Sequence, residues 1–309
     1  MRCLSLFLQN GFVKLEILMD YTSRKLYKLT QPIHIMIVRT YEELRFFVEM
    51  FKNGNCDLLI IESLGGYGKS SLVEEVMQDI RYLKILAHVT PMQLFILSYK
   101  FKNLPIVVDD VDCLLYNEQT VSLLKMLAET RETKEIAWFT THKLLAEQEI
   151  PQKFETKSRI IVLTNDFHTV TKKIAALRDR GFYIVFKPTN EELLRKISEI
   201  KESYENGLTS KEKQEVYSLI EKYSKFCDIS LRTLVKGLML YKECNNGKHL
   251  NWREKLLKEM NISPKLILVD ELMTNYKEDK ERIPIWEQKY SKRSFYDYKL
   301  KVMQKCSEF

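Results

Sequence analysis

The first 188 residues alternate between short apolar runs and segments with helical spacing. DLLIIES (57–63), YLKILAHV (82–89), LPIVVDD (104–110), SRIIVLTN (158–165) and FYIVFKP (182–188) are nearly continuous in apolar residues. Each is too short for a core helix and reads as a strand buried on both faces. Helical periodicity fills the gaps in GKSSLVEEVMQDI (68–80), TPMQLFILSYKF (90–101), EQTVSLLKMLAET (118–130) and HTVTKKIAALRD (168–179). Thr90 is placed to cap the second of these, with Pro91 at its first position. Upstream, PIHIMIV (32–38) predicts a strand and TYEELRFFVEMFKNG (40–54) a helix capped by Thr40 and ending near Gly54. EIAWFTT (135–141) predicts a further strand. The alternation predicts an α/β fold built on a parallel sheet covered on both faces.

It stops at Pro188. The segments 189–204, 210–226 and 228–243 then read as helices, with Leu193, Leu194, Ile197 and Ile200 on one stripe of the first. NNGK (245–248) reads as a linker to a charged helical tail. The expected organisation is an N-terminal extension with a strand and a helix (1–56), an α/β core (57–188), a helical lid (189–247) and a helical C-terminal segment (248–309). Met19 offers an alternative start to Met1.

Composition adds little to this picture. The 309 residues are 45% hydrophobic and 29% charged, which suits a globular protein, and the net charge of +7 permits an acidic partner without requiring one. No apolar run reaches membrane-span length, so no membrane role and a cytoplasmic location are expected. The six cysteines form no C-x-x-C pair and read as thiols in a reducing compartment. The five histidines are scattered, at 34, 88, 142, 168 and 249, and read as strand, cap or surface residues.

The chemistry starts at SLGGYGKSS (63–71). A phosphate-binding loop follows G-x-x-x-x-G-K-[ST], and here Ser63 replaces the first glycine. Gly65, Gly66 and Gly68 let backbone amides approach phosphates, Lys69 supplies charge and Ser70 a hydroxyl for magnesium. With Tyr67 and Ser71 these form the expected ATP-binding loop. The other reading is a structural turn of another α/β fold. About 40 residues on, the strand PIVVDD ends in two acids. Asp109 is placed to hold Mg²⁺, partly through water, and Asp110 to orient an attacking water. Asp112 reads as a cap or surface acid.

In order, the loop, the acidic strand, RIIVLTNDF, ALRDRGFYIVFKPTNEELLRKI and ISLRTLVKGL resemble an AAA+ ATPase over residues 57–243, of the replication-initiator or helicase-loader kind found in plasmids or phages. The resemblance implies ATP hydrolysis with Mg²⁺ in a homo-oligomer, in which ATP can drive formation of a ring. It implies that Asn165, otherwise an ordinary turn residue, helps place the attacking water. Arg180 is implied to reach a neighbouring subunit's nucleotide, with Arg178 as the competing choice, and Arg232 to contact the phosphates from the lid. Asp110 stands where most of the family has glutamate. Its shorter reach implies slow hydrolysis, so a signalling or scaffold NTPase without DNA binding remains an alternative. A small-molecule phosphotransferase fits less well, for want of a lid and trans-acting arginine.

The last feature is IPIWEQKYSKRSFYDYKLKVMQK (283–305). Trp286, Phe295, Tyr298 and Val302 are spaced for a small core. Arg293, Asp297, Lys301 and Lys305 share one helical stripe. The pattern resembles a helix-turn-helix entering a DNA groove, with Lys292, Arg293, Lys301 and Lys305 as contacts. The other reading is a solvated basic helix. DNA and a replication protein are the expected partners.

Overall fold

A computed structural model describes residues 36–86, 89–109, 117–140, 143–165, 177, 179–205, 207–245 and 250–307, without the side chains of 305–307. Asp110, Asp112, Arg178, all five histidines, both alternative starts and most of the helix expected over 168–179 lie outside these residues. Two compact units divide between Pro188 and Thr189.

The first unit runs β1 (Met36–Val38), α1 (Tyr41–Lys52), β2 (Leu58–Glu62), α2 (Lys69–Met77), β3 (Leu83–Leu86), α3 (Pro91–Lys100) and β4 (Ile106–Asp109). It continues with α4 (Glu118–Leu127), β5 (Lys134–Ala137), α5 (Lys143–Glu147), β6 (Lys153–Thr156), β7 (Ile160–Thr164) and β8 (Phe182–Phe186). Six strands form one parallel sheet in the order β1-β8-β2-β7-β4-β3. Leu58, Leu59, Ile60 and Ile61 of central β2 are fully buried. Leu58 and Ile60 share a core with Phe95 of α3 and Val121 and Leu124 of α4. Leu59 and Ile61 alternate to the other face, and α1 packs on β2 and on α2. Burial on both faces explains why these strands lack alternation.

Local chemistry sets the helix ends. Thr40 with Glu43, and Thr90 with Gln93, form reciprocal capping boxes, and Pro91 opens α3. Gly54, just past α1, takes φ +82°, a conformation that glycine adopts without a Cβ clash.

The strand expected at 135–141 exists, shortened to β5, but it lies outside the parallel sheet. It pairs antiparallel with β6, which the apolar pattern did not predict. Both strands alternate buried and exposed residues, as a ribbon with one wet face does. Lys134, 1% exposed, anchors the ribbon to the sheet by donating to the Asp57 carboxylate and the Ser158 carbonyl. Burial pushes its pKa down, partly offset by the Asp57 hydrogen bond.

The second unit is helical: α6 (Asn190–Ile200), α7 (Ser210–Ser224), α8 (Leu231–Asn245), α9 (Trp252–Glu259), α10 (Pro264–Asn275), α11 (Asp279–Glu287) and α12 (Lys292–Ser307). Leu193 and Ile197 form the buried stripe of α6. A Cβ on Gly237 would stand 2.7 Å from Val216 and 3.1 Å from Leu256, so glycine allows α8 to pack closely on α7 and α9. Trp286, Phe295 and Val302 are buried together with Val269 and Leu272 of α10, with Tyr298 packed against them. Helix α11 starts at Asp279, where Glu278 is the N-cap and its amide donates to the Glu281 carboxylate. Among the described residues no helix is long and apolar enough to cross a membrane.

Candidate nucleotide site

Parallel strands gather their carboxyl ends at one edge of the sheet, where α/β folds bind ligands. Three neighbouring strands supply the side chains here. Residue Glu62, last in β2, pairs with Thr164, last in β7, and Asp109, last in β4, pairs with Leu163. The loop at 63–68 and Asn165 therefore leave the sheet side by side, next to Asp109.

Ser63 continues the ladder: its amide donates to the Thr164 carbonyl at 3.1 Å, and the residue is 3% exposed. The chain is still extended at this position and has not yet turned. A serine serves there because the left-handed conformations come later, at Gly66 (φ +88°) and Gly68 (φ +79°). Gly68 is the N-cap of α2, and no side chain caps that terminus. Its first-turn amides and the positive end of its dipole face the loop. Gly65 is exposed, as is Ser71 on α2.

Lys69, only 5% exposed, donates to Asn165 Oδ1 at 2.5 Å. Ser70 Oγ donates to Asp109 Oδ1 at 3.0 Å, and Asp109 is buried. The structure thus brings Lys69, Ser70, Asp109 and Asn165 together.

Two supports were not legible in the sequence. The Tyr41 hydroxyl, at the start of α1, donates to the Tyr67 carbonyl at 2.8 Å, and both rings pack edge-on against Phe186 of β8. The loop is therefore held from the N-terminal helix. The Tyr183 hydroxyl of β8 donates to Glu62 at the loop's root. The only sequence signal for Tyr41 is its place in the first turn of a well-capped helix.

Arg180 stands apart from this cluster. Arg180 is exposed and donates from Nη1 to the Lys125 carbonyl at 2.8 Å, near the end of α4. It precedes β8, at the amino edge of the sheet, where Gly181 abuts the Leu58 backbone. The length of β8, at about 3.3 Å per residue, separates it from the loop. Arg232 is exposed near the start of α8 in the second unit. Lys292, Arg293 and Lys301 are exposed on α12, while Phe295 and Val302 of that helix face its core.

No protein-family model matches the chain. A protein of Enterobacteria phage T4, described as an uncharacterised 36.7 kDa protein of the nrdC-mobD intergenic region, is 26% identical over 203 residues. That match covers 59% of this chain and 62% of the phage protein, less than two thirds of the relative's length. Among solved structures, a point mutant of Thermotoga maritima RuvB is 12% identical over 75% of each chain, with a TM-score of 0.48. Domain III of the Thermotoga maritima replication initiation protein DnaA is 16% identical over 72% of this chain and 97% of that one, TM-score 0.45. The Aeropyrum pernix ORC1 protein in complex with DNA is 11% identical over 89% of this chain and 86% of that one, TM-score 0.43.

Proposed function

We propose that this chain is an AAA+ ATPase that binds ATP with Mg²⁺ and hydrolyses it to ADP and phosphate. It would work as a homo-oligomer on DNA or a replication partner. The observation that carries the reading is the paired contact at the sheet's carboxyl edge, Lys69 with Asn165 and Ser70 with Asp109. A glycine loop in left-handed conformations, a buried ammonium and an open helix N-terminus suit a triphosphate.

The residues fit a hard cation too. A hydroxyl and a carboxylate lie side by side, both oxygen donors of the kind Mg²⁺ takes. Bound there, Mg²⁺ supplies charge neutralisation to the phosphates. Lys69 would hold the outer phosphates, Asn165 would orient both Lys69 and the attacking water, and Asp110 would accept the water's proton. Arg180, too far from its own loop, would serve a neighbouring subunit, and Arg232 would contact the outer phosphate. Helix α12 would present Lys292, Arg293, Lys301 and Lys305 to DNA.

The test is phosphate release and binding of a fluorescent ATP analogue, with sizing runs with and without ATP. Wild-type protein should hydrolyse ATP and assemble with it, and Lys69→Ala should do neither. Hydrolysis by Lys69→Ala at the wild-type rate would sink the proposal. The short Asp110 keeps the slow-switch reading in play, and nucleotide-dependent assembly with scarcely measurable turnover and no DNA effect would favour it.

A further inference from the structure

The helical unit holds a cavity of about 400 Å³ remote in sequence from the phosphate loop. Phe226, following α7, and Tyr298 of α12 line it, with Ile262 and Leu266 between them and Lys301 at its margin. Both rings are half-buried. Lys301 Nζ stands 4.8 Å from the Tyr298 ring centroid, and Lys265 Nζ, from α10, stands 5.8 Å from the same centroid and 5.0 Å from that of Tyr290.

The charge balance around the cavity is uneven. Lys222 and Lys225, near the end of α7, share the single Asp270 carboxylate, at 3.0 and 4.0 Å. Lys265 and Lys301 have no carboxylate partner among the described residues. Two like charges are held around one tyrosine by ring contacts, which are weak at exposed sites. An anion between them would relieve their repulsion. Beside them, the apolar and aromatic walls suit a flat ring. An anion joined to a planar ring is the chemistry of a nucleotide, and lysines interleaved with stacking rings are how proteins hold single-stranded nucleic acid.

We infer that this groove binds single-stranded nucleic acid, seating a base against Phe226 and Tyr298 and its phosphate between Lys265 and Lys301. The inference deepens the nucleic-acid reading of the helical unit and rests on it. It shifts the contact from the exposed stripe of α12 to a cleft shared by α7, α10 and α12, and from duplex to unpaired strand.

The test is fluorescence anisotropy of the full chain with three probes: a dT oligonucleotide, an abasic oligonucleotide of equal length and charge, and a duplex. The dT probe should bind about fivefold to a hundredfold more tightly than the abasic one, the range expected when stacking of a base is removed. Lys265→Ala/Lys301→Ala and Phe226→Leu should each weaken dT binding at least fivefold, with the melting temperature checked for each. Lys255→Ala, on an exposed position of α9 outside the groove, should leave dT binding unchanged. Equal affinity for dT and abasic strands would overturn the inference, as would folded groove variants that bind dT like wild type. Duplex binding without single-strand binding would overturn it while leaving the α12 reading intact. Groove-dependent dT binding without duplex binding would do the reverse. Binding of neither would end both.

Discussion

Lys69 donates its ammonium hydrogen bond to Asn165, a residue 96 positions further along the chain, across the boundary between two neighbouring strands. The buried charge is thereby oriented toward the space above the sheet's carboxyl edge. Lys69→Ala should abolish nucleotide binding, measured with a fluorescent ATP analogue. Asn165→Ala should keep binding and lower kcat about tenfold to a hundredfold, the range for a hydrogen bond to a charged group. If Asn165→Ala raises KM alone and leaves kcat intact, the asparagine only positions the lysine for binding.

Ser70 and Asp109 share a hydrogen bond as well. If both serve the same cation, the effects of removing them should not add. Ser70→Ala and Asp109→Asn should each raise the Mg²⁺ concentration needed for half-maximal turnover, and the double variant should be little worse than Asp109→Asn. A magnesium titration of phosphate release measures this. Strictly additive effects would separate the two roles.

Arg180 lies at the opposite edge of the sheet from the loop, where it donates to the Lys125 carbonyl. Any part it takes in phosphate chemistry must be in a neighbouring subunit. Losing a transition-state arginine can cost on the order of a thousandfold in rate. Mixing Arg180→Ala subunits with Lys69→Ala subunits should restore some activity, one supplying a sound pocket and the other a sound arginine. No recovery at any ratio, in subunits shown to co-assemble, would remove Arg180 from the site.

The exposed basic end of α12 gives a salt prediction for duplex DNA. Every phosphate that a variant no longer neutralises should shrink the log–log salt slope by about 0.9. Lys292→Ala/Arg293→Ala should therefore flatten it by nearly twice that, in anisotropy across a salt series. An unchanged slope would make this end of α12 a solvated surface.

Asp279 joins α11 to α12 through Lys299 and also pairs with Arg282. The Lys299 hydrogen bond holds its pKa below the ordinary carboxylate value, with Arg282 adding to the effect against partial burial. A depressed folded-state pKa contributes stability that is present above the unfolded value, about 3.9, and lost as pH falls through the folded one. Asp279→Asn should melt below wild type at pH 7, and the gap should narrow below about pH 4. A gap that does not begin to narrow as pH falls below about 4 would assign the stability to something other than this charge.

The sequence by itself determined what hydrogen bonds and burial over a few residues control. The apolar runs became the parallel strands because nothing but a two-sided core could take them. Thr40 and Thr90 capped their helices because the partners, Glu43 and Gln93, stand three residues away. The glycine loop followed from the same local logic, as did the small core around Trp286 and Phe295.

Tertiary structure decided the rest, because those contacts join residues far apart in the chain. Ser70 meets Asp109 only because β4 and β2 both lie beside β7. The Tyr41 hydroxyl reaches the loop because α1 packs against α2 and β2. The strand at 134–137 left the main sheet because a buried Lys134 and alternating polarity suited a ribbon with one wet face, and its partner at 153–156 was too polar to stand out. Apolar patterning specifies burial, but which strand ends become neighbours depends on the order of the strands across the sheet, and no local spacing encodes that order.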